Sequence, residues 1–297
     1  MPKAACVSES LSPHFRAGLA ALIGRTNVGK STLVNALVGH KVSIVTPKPQ
    51  TTRHVVHGVV NGPACQLVLV DTPGFFHTKS SKLVTELHRK ARAALEGIDV
   101  VVHVVDPTRE IGAEDEMVVE VLRGVSQPRV LCLNKSDVRA QPARDAWRAR
   151  GSECAALVEI SALKGAGLES LKAALFRLLP EHPPFYSPGE ITNSNRDFQV
   201  AELIREQVYQ LTGQEVPYRT VIELDAITES VTRDGQPFLE IKAAVLTPND
   251  RYQRMLIGTG ARMIRQIGTA ARLELEKKLG QKVFLDLDVL VDRHVGE

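Results

Sequence analysis

The stretch Gly24-Arg-Thr-Asn-Val-Gly-Lys30-Ser31 decides the fold of the first part of the chain. It fits the pattern G-x-x-x-x-G-K-[ST] and lies between an apolar run at 18–23 and a helical stretch at 30–39. Glycines at this spacing let backbone N–H groups surround a phosphate at the positive end of a helix. Lys30 can then reach the β- and γ-phosphates, and the Ser31 hydroxyl can bind Mg²⁺. The stretch predicts a nucleotide-binding P-loop made of Gly24, Arg25, Thr26, Asn27, Val28, Gly29, Lys30, Ser31 and Thr32.

Outward from the P-loop, short apolar runs alternate with helical stretches over residues 1–180. The runs are nearly continuous, which is typical of strands that helices cover on both faces. The alternation predicts an α/β domain with a doubly wound, largely parallel sheet. The strand candidates are 18–23, 65–70, 100–105, 130–133 and 155–160, and the helix candidates are 30–39, 83–97, 113–124, 142–150 and 167–179.

The pattern changes after a segment rich in proline and polar residues, 181–198, which is predicted to be a linker or a surface loop. Residues 199–297 then show a helix, two strand-like runs joined by a turn at 233–236, two more helices and a last strand. This order predicts a small α+β domain. The expected helix is near 199–212, the expected strands are at 219–231, 237–247 and 282–292, and the last two helices flank residues 258–261.

The composition restricts the class of protein. Of the 297 residues, 43% are hydrophobic and 24% are charged, which permits a core and excludes wholesale disorder. No apolar stretch approaches the ~20 residues needed to cross a bilayer, and residues 1–16 lack the apolar core of a secretory signal. The cysteines form no C-x-x-C pair, which argues against a zinc site or a disulfide framework. We expect a soluble, reduced, intracellular protein. The cysteines are Cys6, Cys65, Cys132 and Cys154.

Two later motifs indicate which base the nucleotide carries. Asn134-Lys-Ser-Asp137 follows a buried strand, at the end where side chains face the crevice of a doubly wound sheet. The Asp137 carboxylate can accept hydrogen bonds from N1–H and the exocyclic amine of guanine, whereas adenine would leave it unpaired. Ser161-Ala-Leu163 follows the next strand and would place the Ala162 N–H near guanine O6. The predicted base-binding residues are Asn134, Lys135, Asp137, Ser161, Ala162 and Leu163.

The motif Asp71-Thr-Pro-Gly74 predicts the γ-phosphate and metal side of the site. Asp71 ends a strand and would hold Mg²⁺ through water, while the Gly74 N–H would sense the γ-phosphate. Thr52, in a polar loop, is the candidate for a threonine that binds Mg²⁺ only when the γ-phosphate is present. The predicted metal-binding set is Ser31, Thr52 and Asp71, the predicted catalytic set is Lys30, Thr52 and Gly74, and Thr72 and Pro73 complete the nucleotide loop.

The residue after Gly74 bears on the reaction rate. It is Phe75, whose phenyl ring cannot orient the attacking water as the glutamine of Ras-like enzymes does. We therefore expect slow intrinsic hydrolysis of GTP, with the water held by backbone groups, a partner or a cation.

Together these motifs carry a family resemblance. In particular, Ser43-Ile-Val-Thr-Pro-Lys-Pro-Gln-Thr-Thr-Arg53, which P-loop GTPases in general do not share, resembles the corresponding stretch of the Era family of bacterial GTPases. The likeness covers nearly the whole chain and implies a P-loop GTPase domain over 1–180, a linker over 181–198 and a KH-like domain over 199–297. It marks Asn27 as a candidate potassium ligand. Thr26 departs from the family's usual proline, a change that should not alter phosphate binding.

Residues 257–268 resemble the I-G-x-x-G-x-x-I loop of a KH domain of type II, in which backbone approaches about four nucleotides of RNA. Ala261 stands where the pattern has its second glycine, and position 259 is threonine, where a basic residue would help most. We therefore expect weaker contact with RNA through this loop than a perfect match to the pattern would give. The predicted RNA-binding residues are Gly258, Thr259, Gly260, Ala261, Arg262 and Arg265.

Charge gives a second indication of RNA binding, although the net charge of +3 says little by itself. Residues 201–297 hold 13 basic and 15 acidic side chains, so a nucleic-acid site there must be a local patch. Between Arg251 and Lys278 there are seven basic and two acidic residues. At ~100° per residue, Arg262, Arg265 and Arg272 share one helix face, opposite Ile267 and its apolar neighbours. Such a face beside a glycine loop can bind phosphates.

The resemblance implies a GTP/GDP switch that requires Mg²⁺, binds small-subunit ribosomal RNA near its 3′ end and assists assembly of the small ribosomal subunit. It implies a monomer in the cytoplasm, with peripheral contact at the inner face of the cell membrane. Two alternatives stay open at this point. A metabolic P-loop kinase would show no preference for guanine, and a signalling or membrane-surface GTPase would use its C-terminal domain to bind a protein or a lipid.

Overall fold

A computed structural model describes residues 14–75, 82–213, 215–232 and 235–295 of the chain. Cys6 and the predicted turn residues 233–234 lie outside the described residues. Among the helices of the described part, none combines the length and the apolar character that spanning a membrane requires.

The first domain is a six-stranded sheet with helices on both faces, as the alternating pattern predicts. The strands lie in the order β2-β3-β1-β4-β5-β6, and all neighbouring pairs are parallel except β2 with β3. The strands are β1 (Arg16–Ile23), β2 (Val56–Gly62), β3 (Cys65–Asp71), β4 (Val100–Val105), β5 (Arg129–Leu133) and β6 (Ala156–Glu159). The helices are α1 (Lys30–Val38), α2 (Lys82–Ala93), α3 (Ala113–Arg123), α4 (Arg144–Arg150) and α5 (Leu168–Leu178).

The antiparallel edge strand β2 was not among the strand candidates. Its apolar residues Val56, Val59 and Val60 are buried, but His57 and Asn61 interrupt them, so no continuous apolar run appears in the sequence. An edge strand needs only one buried face, which explains the mixed pattern.

Two apolar layers hold this domain together. On one face of the sheet, Leu33 of α1 and Leu171 of α5 are fully buried against β1, β3 and β4. On the other face, Ala91 of α2 and Val118 of α3 are buried with Phe75. Because β1, β3, β4 and β5 are parallel, their carboxyl ends meet at one edge of the sheet, and the loops that carry the sequence motifs start there.

The second domain has the predicted order of helix, two strands, two helices and strand. The elements are α6 (Arg196–Leu211), β7 (Val221–Val231), β8 (Pro237–Thr247), α7 (Asp250–Ile257), α8 (Arg262–Leu279) and β9 (Lys282–Val291). β8 is central, antiparallel to β7 and parallel to β9. Side chains of α6 and α8, among them Leu203 and Leu275, cover one face of this sheet. Helix α6 begins three residues earlier than predicted, because the Asn195 side chain caps it by accepting a hydrogen bond from the Phe198 N–H at 2.8 Å.

The other face of the three-stranded sheet carries charged residues, beside the exposed apolar side chains Phe284 and Leu290. The strand register places Glu223, Lys242, Glu240, Asp286 and Asp288 on it, and all five are exposed or partly exposed. These residues sum to a net negative charge. The acidic balance of residues 201–297 is thus concentrated on the side of the domain away from α6 and α8.

The segment between the domains follows the surface of the first domain. The backbone N–H of Val59 donates to the Ile191 carbonyl at 2.9 Å, and the Asn193 side chain accepts from the His57 N–H at 3.0 Å. Gln66 also bonds the backbone of Phe185 and Tyr186. Of the two sequence interpretations, a loop that crosses a surface describes this segment.

Candidate functional site

The P-loop closes on its own lysine. Gly29 has φ 96°, a left-handed conformation that favours glycine, and it starts helix α1. Lys30 is buried, and its Nζ donates to the carbonyl oxygens of Gly24 at 3.0 Å and Arg25 at 2.9 Å. Burial lowers the pKa of Lys30 to about 8. The ammonium group therefore lies inside the loop, where it can exchange these carbonyl partners for phosphate oxygens.

Phe75 secures the P-loop through its backbone. Its N–H donates to the Gly24 carbonyl at 3.2 Å, and its carbonyl accepts from the Thr26 N–H at 2.9 Å. The phenyl ring is fully buried beside Ala21, Ala91 and their apolar neighbours in the core. A ring packed there cannot orient a water at the phosphates, which agrees with the expectation drawn from the sequence. The backbone contact with the P-loop was not foreseen.

The three predicted metal-binding side chains lie together. Ser31 Oγ and Thr52 Oγ1 are 3.0 Å apart. Asp71 is fully buried, and neither carboxylate oxygen has a hydrogen-bond partner. Burial raises the pKa of Asp71, while the neighbouring Ser31 hydroxyl and Lys30 ammonium oppose that rise. A buried carboxylate without partners is costly, and two hydroxyl oxygens beside it complete the donor set that a hard divalent cation such as Mg²⁺ prefers.

Asn134 connects the base-recognition loop to the P-loop. Its Nδ2 donates to the Val28 carbonyl at 2.8 Å, and its Oδ1 accepts from the Ala162 N–H at 2.9 Å. In this structure the Ala162 N–H, which the sequence predicts to lie near guanine O6, donates to Asn134. Asp137 is open to solvent, as a carboxylate awaiting a base must be. The Ser161 hydroxyl donates to Asp137 Oδ1 at 2.5 Å and lowers the pKa of that carboxyl.

Two buried acids organise this site, and the motifs did not reveal them. Asp106, at the end of β4, accepts from Lys135 Nζ at 2.6 Å, and it also caps the following turn through Thr108. Asp115 of α3 accepts from Arg25 Nε at 3.0 Å. Each acid holds a basic residue that the nucleotide motifs supply. No spacing rule in the sequence could pair each acid with its basic partner, since Asp115 and Arg25, for example, are 90 positions apart.

A cavity of about 420 Å³ joins these groups. The predicted residues that line it are Thr26, Asn27, Gly29, Lys30, Ser31, Thr32, Thr52, Gly74, Asn134, Lys135, Asp137, Ala162 and Leu163. Other predicted residues do not line the cavity and lie outside its lining: Gly24, Arg25, Val28, Asp71, Thr72, Pro73 and Ser161. The lining also includes residues that were missing from the expected set: 44–48, Gln50, Thr51, Arg109 and Val138. Asn27 donates from Nδ2 to the Pro47 carbonyl at 3.0 Å.

The turn between α7 and α8 is exposed and left-handed. Gly258, Gly260 and Ala261 have φ of 69°, 57° and 59°. Ala261 therefore adopts the conformation that glycine adopts without strain. Arg262 and Arg265 are exposed on the first turns of α8, and Ile267 and Leu275 are buried behind them, as the helical periodicity predicts.

Not all of the basic residues counted in the sequence belong to this face. Arg272 donates to Glu276 on its own helix at 3.1 Å. Lys278 turns towards the first domain, where its Nζ donates to the Lys41 carbonyl. The exposed basic side chains beside the turn are therefore Arg262 and Arg265 of α8, together with Arg254 in the last turn of α7.

Known proteins share both domains. The sequence model of a family described as 50S ribosome-binding GTPase matches residues 19–135, and that of the KH domain matches residues 225–294. A protein named GTPase Era from Xanthomonas axonopodis pv. citri (strain 306) is 41% identical over 289 residues, which is 96% of this chain and 94% of that protein. A GTPase Era from Halothermothrix orenii is 38% identical over 282 residues, 94% of each chain.

Solved structures agree. Era in complex with MgGDPNP and nucleotides 1506-1542 of 16S ribosomal RNA is 33% identical, with a TM-score of 0.85 and 95% of each chain covered. A variant of Aquifex aeolicus Era bound to GDP and AlF4⁻ is 33% identical, with a TM-score of 0.84 over 94% of this chain and 95% of that one. With a P-loop, a guanine-binding motif and a KH domain in this order, the chain is a GTPase that belongs to the Era family.

Proposed function

We propose that this GTPase binds small-subunit ribosomal RNA near its 3′ end through the α7–α8 turn and assists assembly of the small ribosomal subunit. The observation that carries the proposal is the exposed left-handed turn at 258–261, followed at once by the exposed Arg262 and Arg265. An open backbone turn flanked by guanidinium groups suits a phosphodiester chain. The similar Era structure with nucleotides 1506-1542 of 16S ribosomal RNA supports the choice of RNA.

In the first domain, Ser31 and Thr52 would hold Mg²⁺ in the GTP state and Asp71 would hold it through water, while Lys30 and the Gly74 N–H would contact the γ-phosphate. Magnesium supplies charge stabilisation of the transferred phosphoryl group. The free carboxylate oxygens of Asp71 and the 3.0 Å contact between Ser31 and Thr52 support this set. Asp137 selects guanine, because its carboxylate lies exposed at the mouth of the cavity and is held in place by Ser161.

Hydrolysis of GTP is slow without a further cation or partner, because the Phe75 ring is buried in the core and cannot orient the attacking water. Potassium bound at Asn27 would be the cation that holds the attacking water. A hydrolysis assay in potassium and in sodium tests this point with the Asn27→Asp and Asn27→Ala variants; equal rates in both salts would remove the potassium site from the proposal.

The chain works as a monomer in the cytoplasm, with peripheral contact at the inner face of the cell membrane. The proposed GTPase domain spans 1–180, the connection follows it from 181, and the RNA-binding domain begins with α6 at Arg196, three residues earlier than the expected 199. A GTPase whose second domain binds a protein or a lipid is the alternative. A salt series separates the two: binding to a 16S 3′-end oligonucleotide should weaken steeply with salt, because phosphate contacts release counterions.

The nucleotide is proposed to control RNA binding, with GTP favouring the RNA-bound form and hydrolysis releasing it. The test is the affinity for the 16S 3′-end oligonucleotide with a non-hydrolysable GTP analogue, with GDP and with no nucleotide. We expect the tightest binding with the analogue. Equal affinities in all three states would refute the coupling, since an effector must bind two states differently to shift them.

A further inference from the structure

The loop that carries Thr52 lies between the nucleotide cavity and the second domain. We call residues 41–53 the bridging loop. Ile44, Val45 and Thr52 line the nucleotide cavity. The same loop also contacts helix α6 and residues 212–220, which belong to the second domain. One segment therefore contacts both sites.

Glu206 of α6 holds the first part of the bridging loop. It is 1% exposed, and its Oε1 accepts from the backbone N–H of Val45 at 2.9 Å. Its Oε2 accepts from Lys41 Nζ at 2.6 Å. A buried carboxylate with two such partners fixes the loop at two points, one of them a residue that lines the cavity.

Arg205, next to Glu206, holds the last part. It is 4% exposed, and one guanidinium nitrogen donates to the Thr51 carbonyl at 2.7 Å. Glu202 on the same helix fixes the guanidinium through two hydrogen bonds of 2.7 and 2.6 Å, and the Tyr209 ring lies 5.2 Å from it. The donor that meets Thr51 is thus rigidly placed.

Arg53 completes the arrangement on the other side of Thr52. Its guanidinium donates to the carbonyls of Thr220 and Pro217, each at 3.1 Å. Both neighbours of Thr52 are therefore tied to the second domain, while the Thr52 side chain itself faces Ser31 at 3.0 Å. The backbone at 51 and 53 sets where the Thr52 hydroxyl lies.

We propose that Arg205 and Glu206 of the second domain are positioning residues for the GTPase reaction, which hold Thr52 at the metal site. This inference rests on the proposed role of Thr52. It assigns to helix α6 a function apart from RNA binding: the buried side chains of Arg205 and Glu206 order the bridging loop through Thr51, Val45 and Lys41. The entropy of ordering the loop is then not lost again when GTP and Mg²⁺ bind. GDP, which lacks the γ-phosphate, gains little from an ordered Thr52.

The test compares Arg205→Met and Glu206→Gln in the full chain. The affinities for a non-hydrolysable GTP analogue and for GDP, both with Mg²⁺, are measured together with single-turnover hydrolysis. For Arg205→Met we expect roughly a ten-fold loss of analogue affinity and of the hydrolysis rate constant, with GDP affinity within about two-fold. Arg205→Lys should recover part of the loss. Glu206→Gln keeps an acceptor for Val45 and should show a smaller loss of the same kind.

Asn193→Ala is the matched control. It removes another contact that ties the connecting segment to the first domain, the 3.0 Å bond to the His57 N–H, and it touches no residue of the bridging loop. It should leave both nucleotide affinities unchanged. If Arg205→Met does not fold, the Glu206→Gln measurements decide the question. Equal losses for the analogue and GDP, or no loss for either, would overturn the inference.

Thr52→Ala separates this inference from the function on which it rests. If Thr52→Ala leaves analogue affinity intact, the proposed metal role of Thr52 is wrong. If Thr52→Ala weakens the analogue and Arg205→Met does not, only the positioning role fails. When both are right, the double variant Thr52→Ala/Arg205→Met should behave like Thr52→Ala alone, because Arg205 acts through Thr52.

Discussion

Two glycine-containing loops, each at the start of a helix, are proposed to bind phosphates in this protein, and they differ in how much surrounds them. In the P-loop, a Cβ on Gly24 would lie 2.3 Å from the Val104 carbonyl oxygen, and one on Gly29 would lie 2.4 Å from Asn134 Nδ2. At the tip of the α7–α8 turn, a Cβ on Gly260 would meet nothing within 4 Å, whereas one on Gly258 would lie 2.9 Å from Met263 Cβ. An enclosed loop can select one small ligand by shape, whereas an open one leaves room for a polymer to pass.

The largest expected effect comes from adding one methyl group to each loop. Gly24→Ala should reduce GTP affinity roughly 100-fold or more, about 2.7 kcal/mol, because the new methyl meets backbone that cannot move away. Gly260→Ala should cost only the strain of a left-handed alanine, about 1–2 kcal/mol, and change RNA affinity roughly ten-fold at most. Titration calorimetry with GTP measures the first affinity, and titration calorimetry with RNA measures the second. Similar losses in the two loops would show that enclosure does not distinguish them.

Asp137→Asn sharpens the difference in selectivity. The enclosed site should lose GTP affinity roughly 100-fold, since a charged acceptor is replaced by an amide that faces guanine donors. Affinity for xanthosine triphosphate should rise, because its carbonyl can accept from the new amide. Competition binding measures both, with Ser136→Ala as the adjacent control. An unchanged preference would contradict base recognition by Asp137.

Replacing both Arg262 and Arg265 by glutamine tests the open loop. RNA affinity should fall roughly ten-fold, and the slope of log affinity against log salt should become shallower by about 1.4, at ~0.7 for each lost phosphate contact on a single strand. Lys242→Gln, on the charged face of the sheet, is the control and should change neither quantity. A uniform loss without a change of slope would mean that these arginines do not contact phosphates.

The smallest expected effect belongs to Ala261→Gly. Glycine relieves the left-handed strain at φ 59° but adds freedom to the unfolded chain, so the net gain in unfolding free energy should be about 0.5–1 kcal/mol. Thermal unfolding measures it. RNA affinity should improve by a few-fold at most, since the turn is already formed. A marked loss of stability would show that Ala261 makes packing contacts that offset its strain.

The sequence alone predicts most of this protein because its strands and motifs are local. β4 forms at 100–105 as expected. Its six consecutive residues are all buried, which is typical of a strand covered on both faces. Ser31 and Thr52, two of the residues predicted to hold the metal, lie 3.0 Å apart, and their role as metal ligands stays a prediction. The edge strand β2 was missed because its polar residues face outward.

Other features were out of reach because their partners are distant in the chain. Glu206 and Lys41 are separated by 165 positions, and Arg205 and Thr51 by 154. A periodic pattern shows that a helical face is buried but not which segment covers it. A charged pair buried between domains shows no periodicity at all. The family-specific stretch 43–53 could be recognised from its residues alone. Its contacts with α6 could not be predicted, because no pattern in the sequence shows which segments pack together.

The charged face of the three-stranded sheet has an electrostatic consequence for diffusion. Glu223, Glu240, Asp286 and Asp288 lie on the side of the domain opposite α8, whose exposed arginines form the other pole. The domain therefore has an acidic side and exposed arginines at α8, a separation of charge within a domain whose total charge is close to neutral. A polyanion that arrives at the acidic side is repelled, and one that arrives near α8 is attracted and rotated into register. This separation of charge should raise the fraction of collisions with RNA that lead to binding, without making the whole surface of the domain bind nucleic acid.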